Sequence, residues 1–292
     1  MKINMRNVTF ILTLSILAVS TIVVSCQDHH EKPNVILLMA DDMGWGDTGY
    51  NGNEVIKTPN LDQMAADGLR FDRFYSGSAV CSPTRASVLT GRNPFRMGVF
   101  SANKGILRPE EITIAEALKD FGYSTGHFGK WHLGTLTDEI KDANRGRPGN
   151  TKEFNPPSLH GFDVNFSTES KVPTWDPMLS PRDSKNPDNN ASFEPYGTHY
   201  WDENGNIVTE NLEGDDSRVI MDRVLPFIQG NVKKGNPFFA VVWFHTPHKP
   251  VVAGPEYRAM YSQYNESMQH YAGSITALDE QIGRLRDFLG GP

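Results

Sequence analysis

Cysteine is nearly missing: Cys26 and Cys81 are the two in 292 residues, too few for a disulfide framework. Basic charge is also scarce, with 28 Lys and Arg against 35 Asp and Glu and a formal charge of −7. That balance excludes nucleic acid as partner and excludes capture of polyanions by the whole surface. An anionic ligand would have to be met by a local set of cations, for which Arg85, Arg92, Lys130, His132 and His248 are the candidates. No unbroken apolar run of membrane length occurs either. The stretch from Val8 to Val24 is interrupted by Thr9, Thr13, Ser15, Ser20 and Thr21.

With Lys2 and Arg6 before it, that stretch suits the apolar part of a signal segment over residues 1–26. It ends in Val23-Val24-Ser25-Cys26, similar to a bacterial lipobox, in which Cys26 carries lipid. Two or more acyl chains are enough for stable anchoring. The expected location is the bacterial cell envelope, periplasmic or as an outer-membrane lipoprotein, with membrane contact only through lipid on Cys26. A plain secretory signal with an incidental Cys26 stays open. Either way, Cys81 is an odd thiol in an exported chain and needs a chemical explanation.

Residues 27–292 suffice for one large α/β domain. Val35 to Ala40 and Phe238 to Phe244 are continuous apolar runs, expected as buried parallel strands. Asp41 and Asp42 follow the first run, and His245 and His248 the second, which puts polar groups at strand ends that open onto a site. Thr58, Pro59 and Gly68 bracket a helix. A second helix runs through Arg85 to Leu89, with Pro83 near its first turn and Cys81 at its N-terminus, where free N–H groups suit an anion. Thr113 to Phe121, stopped by Gly122, is a third, and Tyr123 to Phe128 a strand leading to Lys130.

From about 142 to 216 no period is visible, and the segment is rich in Pro, Asn, Asp and Gly. It is expected as loops over the active face or as a flexible insert. Its aromatics are Trp175, Phe193, Tyr196, Tyr200 and Trp201, some of them in a short hairpin about Glu203-Asn204-Gly205-Asn206. Ser217 to Ile228 is helical. A last helix, Glu266 to Leu289, carries Met268, Tyr271, Ile275, Leu278, Ile282, Leu285 and Leu289 as one apolar stripe, which calls for a sheet to cover it.

The run Cys81-Ser82-Pro83-Thr84-Arg85, continuing through Ala86 to Thr90-Gly91-Arg92, resembles the active-site signature of the sulfatases. Further matches stand in the family's order. They are Pro33-Asn34-Val35 through Asp41-Asp42-Met43-Gly44-Trp45, Thr58-Pro59-Asn60-Leu61-Asp62, Gly126-His127-Phe128-Gly129-Lys130-Trp131-His132-Leu133-Gly134 and His245-Thr246-Pro247-His248. The resemblance is to the formylglycine-dependent sulfatases of the alkaline phosphatase superfamily, of the arylsulfatase and N-acetylgalactosamine-6-sulfatase kind. It implies a mixed, mostly parallel sheet sandwiched by helices, as in that family's N-terminal domain.

The resemblance further implies that a separate maturation enzyme oxidises Cys81 to formylglycine. It implies that Asp41, Asp42 and the modified Cys81 hold calcium, or magnesium in its place. Arg85 would stabilise the aldehyde hydrate, and Lys130 would neutralise a sulfate oxygen. His132 would be the base that expels sulfate, and His248 the acid at the leaving oxygen, with His245 competing for that role. His127 and His199 are expected to be structural. The family's next strand, with Asp-Asn-Gly, and a catalytic Lys beyond it have no counterpart here, so the C-terminal part is expected to be missing. The chain alone is then expected to be unstable or inactive, because the last helix would expose its stripe.

Three functions stay open: a hydrolase of sulfate esters, on carbohydrate; a phosphonate or phosphate monoester hydrolase of the same superfamily; and an inactive, truncated domain that binds sulfated glycans.

Overall fold

A computed structural model describes residues 32–181 and 194–290; Cys26 with its lipobox-like segment, and Phe193, lie outside them. Met1–Pro33 and Asn34–Pro292 form separate units. Of the first only Lys32 and Pro33 are described; the sheet, its helices and the site all belong to the second.

One six-stranded sheet runs in the order β1-β6-β2-β3-β4-β5. Its strands are β1 (Val35–Met39), β2 (Ser124–Lys130), β3 (Val164–Thr168), β4 (Tyr200–Asp202), β5 (Ile207–Val208) and β6 (Phe238–Trp243). The first four in spatial order are parallel, and β4 and β5 add an antiparallel hairpin beside β3. The sheet is therefore mixed and mostly parallel, with helices packed on it.

β6 is central, and all six of its residues are buried. Strand side chains alternate between faces, and β6 feeds two cores in this way. Phe238, Ala240 and Val242 pack with helix α4 (Asp216–Lys234) and helix α6 (Glu266–Phe288). Phe239, Val241 and Trp243 pack with helix α2 (Cys81–Thr90), helix α3 (Ile114–Asp120) and Trp131. Each fully buried large apolar side chain of this kind contributes roughly 1.5–3 kcal/mol. A strand covered on both sides has to be apolar throughout, and this is why β6 is legible as an uninterrupted run. Where β2 passes β6 the backbones touch. Gly129 has φ +99°, and a Cβ there would stand 2.0 Å from the Trp243 carbonyl oxygen, so only glycine fits.

The helix boundaries follow their caps. Helix α1 (Pro59–Asp67) begins after Thr58 and ends at Gly68. The Thr58 hydroxyl does not cap it; it accepts from the Gly49 N–H and donates to Asp62. α3 has a full capping box, with Thr113 Oγ1 taking the Glu116 N–H and Glu116 taking the Thr113 N–H. The hairpin forms about residues 203–206, as expected.

Three expectations are corrected. β3 lies inside the segment expected as loops. α4 extends to Lys234, past Pro226, rather than ending at Ile228. The stripe on α6 does not lie open: Ile275, Leu278, Ile282 and Leu285 are all buried, at most 3 % exposed. The cover comes from α1, α4 and helix α5 (Pro255–Ala259), together with the face of this same sheet formed by β1 and β6. Leu289, at 52 %, is the exposed member.

Candidate active site

The carboxyl ends of the four parallel strands lie side by side, and each delivers polar residues to the same place. β1 leads to Asp41 and Asp42, β2 ends in Lys130 and leads to His132, β3 ends in Thr168, and β6 leads to His245 and His248. The ends are tied together. The Asp41 N–H donates to the Thr246 carbonyl (3.0 Å), Trp131 N–H to Thr168 O (2.9 Å) and His132 N–H to Glu169 O (2.9 Å).

α2 brings Cys81 to this edge as its first helical residue, after Val80 in extended conformation. Cys81 is a free, partly buried thiol. The next residue, Ser82, donates through Oγ to the His132 carbonyl at 2.7 Å, which anchors the start of the helix against the β2 loop. One turn on, Arg85 reaches back under the site. Its Nη1 donates to the Lys130 carbonyl (2.8 Å), its Nη2 pairs with Asp41 Oδ1 (3.2 Å), and its guanidinium lies 4.9 Å over the Trp243 ring.

Lys130 Nζ pairs with the other Asp41 oxygen at 2.6 Å. Arg85, Lys130 and Asp41 are 1 %, 0 % and 4 % exposed. Burial works against the Asp41 carboxylate, but the Arg85 and Lys130 charges outweigh it and hold the group well below the usual carboxylate range. Lys130 is itself pushed down by burial and by Arg85, with Asp41 opposing. Two buried cations thus share one anion, which leaves surplus positive charge, and Lys130 lies within electrostatic reach of Cys81. This is the local cation set that the acidic chain needed.

His132 is 3 % exposed. Burial, then Lys130 and Arg85, press its pKa well below the ordinary value, so the ring stays neutral. Its Nε2 lies 2.8 Å from Asn103 Oδ1. His248 is held by its Nδ1, which donates to the Lys249 carbonyl at 2.7 Å, and its Nε2 lies 3.6 Å from Asp42 Oδ2. Burial and Lys130 lower its pKa, against the pull of Asp41 and Asp42. Asp42 at φ 65° and His132 at φ 57° both occupy the left-handed region, a strained backbone of the kind that collects at functional sites.

Structure separates the two histidines after β6. His245 is fully buried, with Nδ1 on Asp216 Oδ2 (2.7 Å) and Nε2 on Thr168 Oγ1 (2.8 Å), so it braces the strand ends. His248 is the one facing the site. His127 is buried against Ser167 Oγ (2.7 Å), and His199 bonds Asp142 (2.9 Å). Arg92 does not join the cation set; it sits beyond the far end of α2, paired with Glu111. The cavity of about 440 Å³ bordered by Phe95, Phe100 and Arg108 contains none of the expected site residues.

The residues do not make a complete cation site. A calcium ion takes six to eight oxygen ligands, whereas Asp41 and Asp42 supply two carboxylates, and both Asp41 oxygens are occupied by Arg85 and Lys130. No cluster of three or more His, Cys, Asp or Glu side chains suited to a metal occurs among the described residues.

Sequence reasoning passed over Asn103, Ser82 and the buried Arg145–Glu169 pair (2.7 Å), which holds the loop behind His132. Each acts through backbone or side chain to side chain contacts between residues distant in sequence. The one local signal is the Ala-Asn-Lys-Gly stretch at 102–105, which suits a turn.

The Sulfatase family profile matches residues 33–290. N-acetylgalactosamine-6-sulfatase of Mus musculus is 32% identical over 274 residues, covering 89% of this chain and 47% of that protein. Arylsulfatase G of Rattus norvegicus is 33% identical over 283 residues, covering 90% and 49%. Among solved structures, Ps i-CgsB in complex with k-i-k-neocarrahexaose superposes with a TM-score of 0.69 at 29% identity, over 89% of this chain and 55% of that one. The chain thus spans about half the length of the curated relatives it matches. Its sheet, its strand-end site and its cysteine at the head of α2 place it in the sulfatase family.

Proposed function

We propose that the chain carries the catalytic face of an enzyme that hydrolyses sulfate esters on carbohydrate. The observation that supports this most is the placement of Cys81 at the start of α2, beside a buried Arg85–Asp41–Lys130 cluster with excess positive charge and a neutral His132. A sulfate ester carries one negative charge on its sulfuryl oxygens, and negative charge develops on the leaving oxygen as the S–O bond breaks. Fixed cations and helix N–H groups in a site shielded from water meet that charge without reorganising. The relatives named for sulfated sugars support carbohydrate as the substrate class.

Cys81 in this reading is matured to formylglycine by a separate enzyme, and its position fits: a free, partly buried thiol at a helix start, one turn before Arg85. The hydrated aldehyde supplies a hydroxyl nucleophile and a second hydroxyl for release of the sulfate. The chain's own groups do the rest. Lys130 neutralises a sulfate oxygen, Arg85 stabilises the hydrate, and both keep Asp41 ionised. His132 takes a proton from the reacting hydroxyl, and His248 gives one to the leaving oxygen. Calcium, or magnesium, belongs to the family chemistry, but Asp41 and Asp42 could hold it only with ligands beyond these, and no step here runs through it. Export by the segment ending at Cys26, and envelope anchoring through it, complete the proposal.

Turnover of nitrophenyl sulfate against nitrophenyl phosphate tests the reading, together with mass spectrometry of the Cys81 peptide. Sulfate turnover that requires an aldehyde at position 81 is expected. Preference for the phosphate ester would move the assignment to a phosphoryl hydrolase. An active protein with an intact, alkylatable Cys81 thiol would refute the maturation step.

A further inference from the structure

We propose that Asn103 is a positioning residue for His132: it fixes the imidazole in the Nε2–H tautomer and leaves Nδ1 as a bare lone pair. The role of that lone pair as proton acceptor rests on the sulfatase reading above; the tautomer itself does not.

Counting donors locates the ring proton. A neutral histidine has one N–H and one acceptor nitrogen. His132 Nε2 lies 2.8 Å from Asn103 Oδ1, an amide oxygen that can only accept. The same oxygen also takes a proton from Asn144 Nδ2 at 3.2 Å. Turning the Asn103 amide over would set its NH2 against the Asn144 NH2. Asn144 is placed in turn by its N–H to Glu169 Oε2 (2.9 Å) and its Nδ2 to Ser170 Oγ (2.8 Å). The ring proton therefore belongs on Nε2. His132 Nδ1 is buried and has no hydrogen-bond partner among the described residues. An unpartnered buried polar atom is costly, and this one is the ring nitrogen that Asn103 does not hold.

Asn103 is held rigidly enough for the task. It sits at φ 59° in a turn closed by Phe100 N–H to Lys104 O (3.0 Å) and Lys104 N–H to Ser101 O (3.1 Å). At its base Gly105 packs so closely that a Cβ would stand 2.0 Å from the Gly98 carbonyl oxygen. Arg145 Nη1 donates to Gly105 O (3.2 Å), and Arg145 is itself fixed by Glu169. One buried ion pair thus supports both the loop that offers the acceptor and the loop that carries His132. When His132 takes a proton at Nδ1, the Nε2–H stays on Asn103, which then accepts from an imidazolium, a stronger bond.

The test is a two-bond proton–nitrogen correlation spectrum of the chain, labelled with nitrogen-15 at histidine only, at pH 8. The His132 signals are identified by their loss in His132→Gln. The wild type should show a protonated Nε2 and an unprotonated Nδ1. Asn103→Ala should shift His132 toward the Nδ1–H form or to an average, and Asn103→Asp, which still accepts, should keep the wild-type pattern. An Nδ1–H tautomer in the wild type, or a pattern unmoved by Asn103→Ala, would overturn the proposal. If Asn103→Ala does not fold, the wild-type spectrum decides alone. No substrate enters, so the result is independent of whether sulfate or phosphate is hydrolysed. In turnover, Asn103→Ala should lower kcat about tenfold or more at near-constant KM, within the ~10²–10⁴-fold that a positioned base supplies. Asn103→Asp should recover most of that. A change in KM alone would count against it.

Discussion

Lys130 Nζ meets Asp41 Oδ2 at 2.6 Å, across 89 positions of sequence, with both side chains almost wholly shielded from water. Arg85 competes for the same carboxylate from the other side. Removing one member of this cluster has unequal effects. Lys130→Met leaves a balanced Arg85–Asp41 pair, whereas Asp41→Asn leaves two buried cations with no anion between them. Breaking a buried pair costs about 3–5 kcal/mol. Asp41→Asn should reach that range in urea unfolding, and Lys130→Met should cost clearly less. Equal losses would mean that Asp41 does not neutralise both cations.

Calcium should bind the chain weakly. With two carboxylates at hand and one of them occupied, a dissociation constant no tighter than about 10⁻³ M is expected. Calorimetry on the chain and on Asp42→Asn measures it. Submicromolar binding lost in Asp42→Asn would show that the cluster rearranges around a cation.

His160 is kept neutral by burial, which lowers its pKa to about 4 from 6.5. Between those values the unfolded chain binds more protons than the folded one, so stability falls as pH drops through the window. At about 1.4 kcal/mol per pH unit the full loss approaches ~3 kcal/mol. Denaturation at pH 7 and 4.5 should show a smaller loss for His160→Asn than for the wild type. Identical losses would clear His160 of the effect.

Gly129→Ala should destabilise the protein by about 2 kcal/mol or more, since it forces both a left-handed alanine and a collision with the Trp243 carbonyl. A melting temperature within a degree of wild type would show that β2 and β6 can separate at that point without loss.

Strands covered on both faces were legible in the sequence because their environment demands continuous apolar residues, as in β6. β3 was not. Its Asn165 and Ser167 are buried, with Asn165 Nδ2 donating to the Trp201 carbonyl and Ser167 Oγ bonded to His127, so a buried strand presents itself as polar sequence. α4 passes Pro226 and still reaches Lys234. A breaker marks a local cost, and burial of Val219, Ile220, Val224 and Ile228 outweighs it. Cys81, Arg85, Lys130, His132 and His248 were visible as motif residues. Arg92 was not separable from them, because sequence proximity to Arg85 says nothing of the opposite end of a helix. Asn103 carries no motif, and its bond to His132 exists only once two loops meet.

The order of strands in the sheet sets a timetable for folding. Among the described residues β1 pairs only with β6, and the bond from Phe238 N–H to Asn34 Oδ1 closes a loop of 204 positions. A ribosome delivers the chain from the N-terminus, so β1 waits without this partner until β6 has been made. Such long-range parallel pairing is slow to nucleate and leaves strand edges open to wrong partners. The charge cluster shares this delay, because Asp41 follows β1 and is braced by Thr246 after β6. A nascent chain shorter than about 246 residues should therefore lack the anion-binding centre altogether, whatever helices it has already formed.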